Sequence, residues 1–209
     1  YVISYSAPIF CRSARTRAIP RAVREGARTL WGRAAGDDCT AGGVVCRPGR
    51  TVTIFTGPPG AKNLDYRTAR RFLLSEGIKV VCGATTAKIV ASHAGAPLEV
   101  EQDAKSVLAP PRYSIGGIDL VTEGAVTLTQ VYNVLGENPD DFEEESGVSE
   151  LAELLMSADR IEFIVGGAKN PASDSISFRQ RGILSRDVIV PLIAEKLKAM
   201  GKLVVVEKV

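Results

Sequence analysis

The chain has 209 residues, 45% of them apolar, which fits one large domain or two modest ones with ordinary globular cores. No apolar run approaches the ~20 residues of a membrane span, so the sequence carries no membrane-spanning helix. The net charge is only +2 but unevenly spread: residues 1–50 hold nine arginines and three acids, leaving −4 for the remainder. The aromatics do not interleave with those arginines as a base-stacking platform requires, so nucleic acid is not an expected partner. The arginines read instead as a solvated helix face, or as a face that meets a missing partner domain. Residue 1 is Tyr, not Met, and Tyr1 to Phe10 lack the charged start and apolar core of a signal peptide, so the chain is expected to be a piece of a longer protein. Cys11, Cys39, Cys46 and Cys82 form no C-x-x-C pair and no zinc spacing. They read as buried free thiols in a reducing cytoplasm. His93 is the sole histidine, which excludes any mechanism needing two, and it is expected on a helix surface.

In chain order, residues 1–50 come first. Ile19, Val23, Ala27 and Leu30 recur at helical spacing, with Pro20 suited to a first turn and Gly32 or Gly36 to the stop. A short strand, Gly43–Cys46, follows an acidic turn. From Thr51 the pattern alternates. Strand Thr51–Phe55 leads to a helix over Tyr66–Glu76 capped by Asp65 and ended by Gly77. Strand Ile78–Cys82 leads to a helix capped by Thr85 or Thr86 and ended by Gly95. Brief strands are expected at Leu98–Val100 and Ile118–Val121, then a helix over Val126–Leu135. The run from Glu137 to Gly147 reads as an acidic surface loop, with a weak calcium site at Asp140-Asp141 and Glu143–Glu145 as its minor alternative. Helix Val148–Ala158, strand Ile161–Val165, helix Val188–Met200 and strand Leu203–Val206 complete the series. Strands alternating with helices predict an α/β fold, a mostly parallel sheet with helices on both faces.

The stretch Thr51–Asp65 first suggests a nucleotide loop. A phosphate cradle needs G-x-x-x-x-G-K-[ST], and counting from Gly57 the loop is one residue short. Ala61 stands where the glycine before Lys62 belongs, Asn63 stands where Ser or Thr belongs, and Pro58 and Pro59 offer no N–H to phosphate. The segment therefore reads as a strand-to-helix turn. In an open parallel sheet, ligands bind beyond the carboxyl ends of the strands. Those ends here are rich in glycine and threonine: Gly83-Ala84-Thr85-Thr86, Thr122-Glu123-Gly124 and Gly166-Gly167-Ala168-Lys169-Asn170. Gly83, Thr85, Thr86, Gly166, Gly167 and Asn170 are the candidate residues for an anionic ligand, since glycine admits close approach and a helix start attracts an anion. The same residue types also serve turns and caps. Asp119 and Glu123 share a strand face, yet no second element brings a nucleophile or metal cluster to them, so they read as a turn acid and a strand-end acid.

Gly36-Asp37-Asp38-Cys39-Thr40, followed by Val44-Val45, resembles the closing motif of the metal-dependent type 2C serine/threonine phosphatases, in particular their SpoIIE (stage II sporulation protein E) branch. The segments TVTIFTGPP, IKVVCGATTAKIVAS, GGIDLVTEGAVTL, SADRIEFIVGGAKNPA and MGKLVVVEKV resemble the C-terminal extension of some bacterial members. Gly would be expected where Ala84 stands. The resemblance implies two domains: residues 1–50, a helix–strand remnant closing an incomplete phosphatase domain, and residues 51–209, an appended α/β domain. It implies Asp37 as a manganese or magnesium ligand, Asp38 as its neighbour and Thr40 as a buttress of the turn. It also implies a parent enzyme in the bacterial cytoplasm that removes phosphate from phosphoserine on a regulatory, anti-anti-sigma-like protein. Phosphomonoester hydrolysis is among the slowest uncatalysed reactions, and a bimetal centre activates water for it.

The family holds its two metals with upstream Asp-Gly motifs, and this sequence contains no Asp-Gly dipeptide. One carboxylate cannot assemble a two-metal site, so no catalytic residue is assigned and this chain alone is expected to be inactive and metal-free. The rival expectation is that residues 51–209 form a sensor or interaction domain, binding an anionic small molecule at Gly83–Thr86 and Gly166–Asn170. A structural module that makes a homodimer is the third.

Overall fold

The computed structural model of the chain describes residues 18–32, 48–100, 113–137, 142, 146–168 and 182–209. It divides into two compact units, Tyr1–Pro48 and Gly49–Val209. In the first unit, helix α1 spans Ala18–Trp31 and stops at Gly32, whose φ of 56° is left-handed, so Gly32 rather than Gly36 ends it. Asp37 and the strand expected at Gly43–Cys46 lie outside the described residues.

The second unit is built on a seven-stranded sheet. Its strands are β1 (Thr51–Thr56), β2 (Ile78–Cys82), β3 (Leu98–Val100), β4 (Tyr113–Ile115), β5 (Leu120–Thr122), β6 (Arg160–Val165) and β7 (Leu203–Lys208). Its helices are α2 (Asp65–Leu73), α3 (Ala84–Ala94), α4 (Ala125–Val134), α5 (Gly147–Ser157) and α6 (Arg186–Ala199). The sheet order is β3-β4-β5-β2-β1-β6-β7. Strands β5, β2, β1, β6 and β7 are mutually parallel, and β4 and β3 extend the β5 side in antiparallel pairing. The fold class is therefore α/β with a mostly parallel sheet, as the alternation predicts.

Strict side-chain alternation explains the layers. Val52, Ile54, Val80, Cys82, Ile161, Phe163 and Val165 form one face and pack with Leu128 and Val131 of α4, Leu151 and Leu155 of α5, and Ile189, Ile193 and Leu197 of α6. Phe55, Val81, Val121 and Ile164 form the other and pack with Phe72 of α2 and Ala87 and Val90 of α3. Counted among themselves, the parallel strands run in the order 3-2-1-4-5. The chain moves outward from β1 to β2 and β5, then returns to the other side of β1 for β6 and β7. The carboxyl ends of β1 and β6 thus flank the topological switch point, where such sheets open a crevice.

Three local expectations change. Helix α2 stops at Leu73, not Glu76, because the Ser75 hydroxyl donates to the Phe72 carbonyl at 2.7 Å and takes an acceptor from the last turn. Asp65 is the first residue of α2 and Leu64 takes the cap position. Strand β4 was not expected. It pairs Tyr113 with Val100 and with Val121, bridging two short strands.

Phe163 is fully buried between β1, β7 and the helices above them, whereas Leu203 on the outer strand is 56% exposed. Phe163→Ala is expected to lower the unfolding free energy by about 3–5 kcal/mol. Leu203→Ala is expected to change it by less than about 1 kcal/mol. Urea denaturation monitored by circular dichroism checks both.

Candidate functional site at the carboxyl rim of the sheet

Two glycine-rich junctions, here called mouths, lie along the carboxyl ends of the parallel strands. The first lies between β2 and β5. Gly83 follows β2 with φ of 113°, a conformation for which glycine is suited, and its N–H donates to the Thr122 carbonyl at 2.8 Å. A Cβ placed on Gly83 would lie 3.6 Å from the Gly124 Cα, and one placed on Gly124 would lie 3.5 Å from the Gly83 Cα. The two glycines thus meet backbone to backbone and bring the starts of α3 and α4 side by side.

Both helices are capped by glycine, with no side-chain cap bond at either start. This corrects the expectation that Thr85 or Thr86 caps α3. Thr85 is exposed and Thr86 lies within the first turn. The first N–H groups of a helix have no intrahelical partner, and here no capping side chain competes for them. Thr86 and Thr127 occupy the same position, the third residue of their helices, and each is only 1% exposed. Neither hydroxyl oxygen has a hydrogen-bond partner among the described residues. The Thr86 Oγ1 lies 3.6 Å from the Cβ position of Gly83, so it leans toward the helix start. Beside this mouth, Glu123 accepts a hydrogen bond from the Tyr113 hydroxyl at 2.9 Å. Burial, and then that bond and the Glu123 charge, push the Tyr113 phenol upward. Asp119 does not join Glu123, for it accepts the backbone N–H of Lys79 on β2 at 2.7 Å.

The second mouth is the switch point itself. A Cβ on Gly166 would collide with the carbonyl oxygens of Gly57 and Pro58, so these two loops meet without side chains between them. Ala168 N–H donates to the Pro58 carbonyl at 3.1 Å. Gly60 and Gly167 both donate to the Val209 carbonyl, at 3.1 and 2.7 Å. The amides that a phosphate loop would offer are thus consumed internally. A single 3-10 turn, Lys62–Leu64, leads straight into α2, so the GPPG segment is the strand-to-helix turn that its spacing predicts. Above Gly57 lies the guanidinium of Arg186, where a Cβ on Gly57 would coincide with it. Its Nη2 donates to the Ala168 carbonyl at 2.6 Å, and its Nε is buried without a partner among the described residues. Burial lowers its pKa, partly offset by the neighbouring Asp187 charge.

The sequence-predicted residues therefore fall into two groups. Gly83, Thr85 and Thr86 belong to the first mouth, Gly166 and Gly167 to the second. Strand β1 lies between β2 and β6, which sets the mouths about 10 Å apart, two inter-strand spacings. Asn170 and Asp37 lie outside the described residues. Sequence reasoning passed over Gly124, Thr127 and Arg186. Gly124 carried a signal, a glycine between a strand end and a helix start. Arg186 carried none, because its importance comes from the strand order.

Among the described residues no group of three or more His, Cys, Asp or Glu side chains could hold a metal ion, so they do not fit a two-metal centre. His93 is exposed, with its Nδ1 2.8 Å from the Ile89 carbonyl one helical turn back. A groove of about 500 Å³, lined by Arg50, Glu150, Glu153, Leu154, Met156 and Ser157, lies at the opposite, amino end of the sheet. It gathers two carboxylates and one arginine without the rim's glycines. No described helix is long and apolar enough to cross a membrane. Compared with known protein families, curated proteins and solved structures, the chain matches none.

Cys82, the last residue of β2, lies directly beneath the first mouth, with the Thr122 Oγ1 3.5 Å from its sulfur. Burial pushes its thiol up from 9.0 to about 12. The thiolate is the reactive form, so Cys82 is expected to resist alkylation at pH 8 until the chain unfolds, read by peptide mass mapping. Between pH 9 and 12 the unfolded chain loses this proton first. Wild-type stability should therefore fall relative to Cys82→Ala as pH rises above 9, by about 1.4 kcal/mol per pH unit.

Proposed function

We propose that the chain is the C-terminal part of a SpoIIE-type protein serine phosphatase. Residues 51–209 would be an accessory lobe that binds an anionic small molecule at the carboxyl rim and regulates the enzyme. The phosphatase part rests on the Gly36–Thr40 motif and the extension-like segments after Thr51. The parent enzyme would act in the cytoplasm on a phosphoserine of a regulatory, anti-anti-sigma-like protein. A manganese or magnesium pair would supply it with Lewis-acid activation of water, and Asp37 would be one carboxylate ligand.

One observation supports the ligand-binding part above the others: two glycine-capped helix starts, pressed together at Gly83 and Gly124, each with a buried, unpaired threonine hydroxyl in its first turn. Helix starts favour anions through their free N–H groups and dipoles, and adjacent starts add their fields. An unpaired buried hydroxyl costs about 1–3 kcal/mol, a cost that a bound acceptor would offset.

Two measurements test these parts separately. In the full-length parent with manganese, Asp37→Ala is expected to slow hydrolysis of the phosphoprotein at least about a hundredfold, the loss of several kcal/mol of Lewis-acid stabilisation. Equal rates refute the metal role. For the lobe, a thermal-shift panel of phosphate-bearing metabolites should contain a compound that raises Tm. At a hundred times its Kd it adds about 2.7 kcal/mol, roughly 5–10 °C for a chain of this size. Thr86→Val and Thr127→Val keep the side-chain shape. They should leave the unliganded lobe as stable or more so, and should shrink that shift. A silent panel on the wild-type chain removes the ligand-binding proposal.

A further inference from the structure

The two edges of the seven-stranded sheet are built differently. Strand β3 at one edge has three residues with Glu99 at its centre, and so short and charged a strand is poorly suited to meet another chain. Strand β7 at the other edge has six residues, and its first four, Leu203-Val204-Val205-Val206, are apolar, with no proline and no charge among them. Leu203, Val205 and Val206 are 56%, 42% and 39% exposed. Among the described residues β7 pairs with β6 alone, in unbroken register from Leu203 to Lys208. The N–H of Leu203 donates to the Asp159 carbonyl at 3.0 Å and that of Val209 to the Val165 carbonyl at 2.9 Å, so the odd-numbered residues turn their backbone groups toward β6. By alternation Val204, Val206 and Lys208 turn theirs outward. An apolar edge of this kind is a template for a further strand.

We infer that β7 pairs with the β7 of a second copy of this chain, antiparallel about a two-fold axis at Val206, to make one continuous sheet. The inference is independent of the proposed function. The outward row is complementary to itself. In an antiparallel ladder directly opposed residues exchange both bonds, so Val206 can face the partner's Val206 and Val204 the partner's Lys208. A parallel ladder staggers its donors and acceptors, and two identical edges in register across a two-fold axis cannot make one. Charge selects the register. Centred on Val206, the ladder uses Leu203–Val209 and sets no like charges opposite each other, with Leu203 against the partner's Val209. Centred on Val205 it would set Lys208 opposite the partner's Lys202, and centred on Glu207 it would set that carboxylate opposite its own copy; both are unfavourable. In the chosen register Glu207 stands opposite the partner's Val205, and its charge is already met within its own chain by Arg71 at 2.6 Å. The pairing closes at two copies, because each uses the same edge.

The experiment is sedimentation equilibrium of the 209-residue chain under reducing conditions. One strand pair is a small interface, so a dimer with Kd of about 10–100 μM is expected. Val205→Glu sets a carboxylate opposite the partner's Glu207, twice per dimer, and should raise that Kd at least about tenfold. Val205→Lys sets a cation there and should associate at least as tightly as the wild type. Val206→Pro deletes an outward N–H without touching the β6 ladder, and should weaken the dimer as well. Circular dichroism confirms that each variant is folded. Val206→Cys should form a disulfide with its own copy on oxidation, located by peptide mass mapping, because directly opposed Cα atoms in such a pair lie about 5.5 Å apart. Val204→Cys faces the partner's Lys208 and should not. A wild-type chain that stays monomeric at about 1 mM, ten times the weakest expected Kd, overturns the inference. A dimer undiminished in folded Val205→Glu and Val206→Pro lies elsewhere on the molecule and overturns it too. Equal weakening by Val205→Glu and Val205→Lys overturns the register. The phosphatase assay and the metabolite panel are read separately, so failure here leaves the proposed function standing.

Discussion

The second unit depends on one strand being buried on both faces. From Val52 to Thr56 every residue of β1 is inaccessible, with Val52 and Ile54 in one core and Phe55 in the other. A strand in that position cannot be an edge, so β2 and β6 must flank it and both faces must be covered by helices. The right-handed crossover rule then places α2 and α3 on one face and sends the return path through α4 and α5 to the other. The switch point at the carboxyl end of β1 follows from that reversal. Glycine at residues 57 and 166 lets the two loops touch there, with the Gly166 N–H donating to the Thr56 carbonyl and the Ala168 N–H to the Pro58 carbonyl, and Arg186 lies over Gly57. The rim is therefore set by where the chain reverses, which helps to explain why residues as distant as Gly57, Gly166 and Arg186 converge there.

Much of this architecture was legible in the residues. Phe163 and Ile164 alternate between two cores, and the β-branched runs of β1, β2 and β6 are short, continuous and followed by glycine, as buried parallel strands should be. Helix α5, expected over Val148–Ala158, forms over Gly147–Ser157, and its start carries a cap that the sequence reading did not identify. Ser146 and Ser149 exchange bonds at its start, the Ser149 N–H donating to the Ser146 hydroxyl at 3.2 Å and the Ser146 N–H to the Ser149 hydroxyl at 2.8 Å. Local chemistry of that kind can be read from a few neighbouring residues.

What escaped reading was non-local. Strand β4 has three residues, too few for a period to show, and is held by Val100 and Val121 from both sides. The Gly83 cap was misassigned because Thr85 and Thr86 are better cap formers in isolation. The chain turns into α3 one residue earlier, at Gly83, whose φ of 113° suits glycine. The spacing of Gly83–Thr86 from Gly166–Gly167 along the rim was hidden for a similar reason. Similar strand ends look equivalent in sequence, and only the strand order says which are neighbours. Arg186 is the extreme case, an arginine before an ordinary helix until the switch point is located.

Unpaired buried polar atoms alone would not mark the rim, because Thr53 Oγ1 on β1 and Gln130 Oε1 on α4 are also without partners among the described residues. Those two differ in their setting. Thr53 stands mid-strand and Gln130 within the body of α4, where backbone N–H groups are already committed to the ladder or the helix. Thr86, Thr127 and Arg186 each sit in the first turn of a helix, where donors are left over by geometry and the dipole is positive. All three helices start at the same end of the sheet because all three follow or join parallel strands. A single unpaired hydroxyl in such a place tells little. Two at matching positions in touching helices, with the Arg186 guanidinium farther along the rim in no ion pair among the described residues, gather positive potential at this end of the sheet. Among the described residues, the touching starts of α3 and α4 are therefore the part of the rim best arranged to meet an anion.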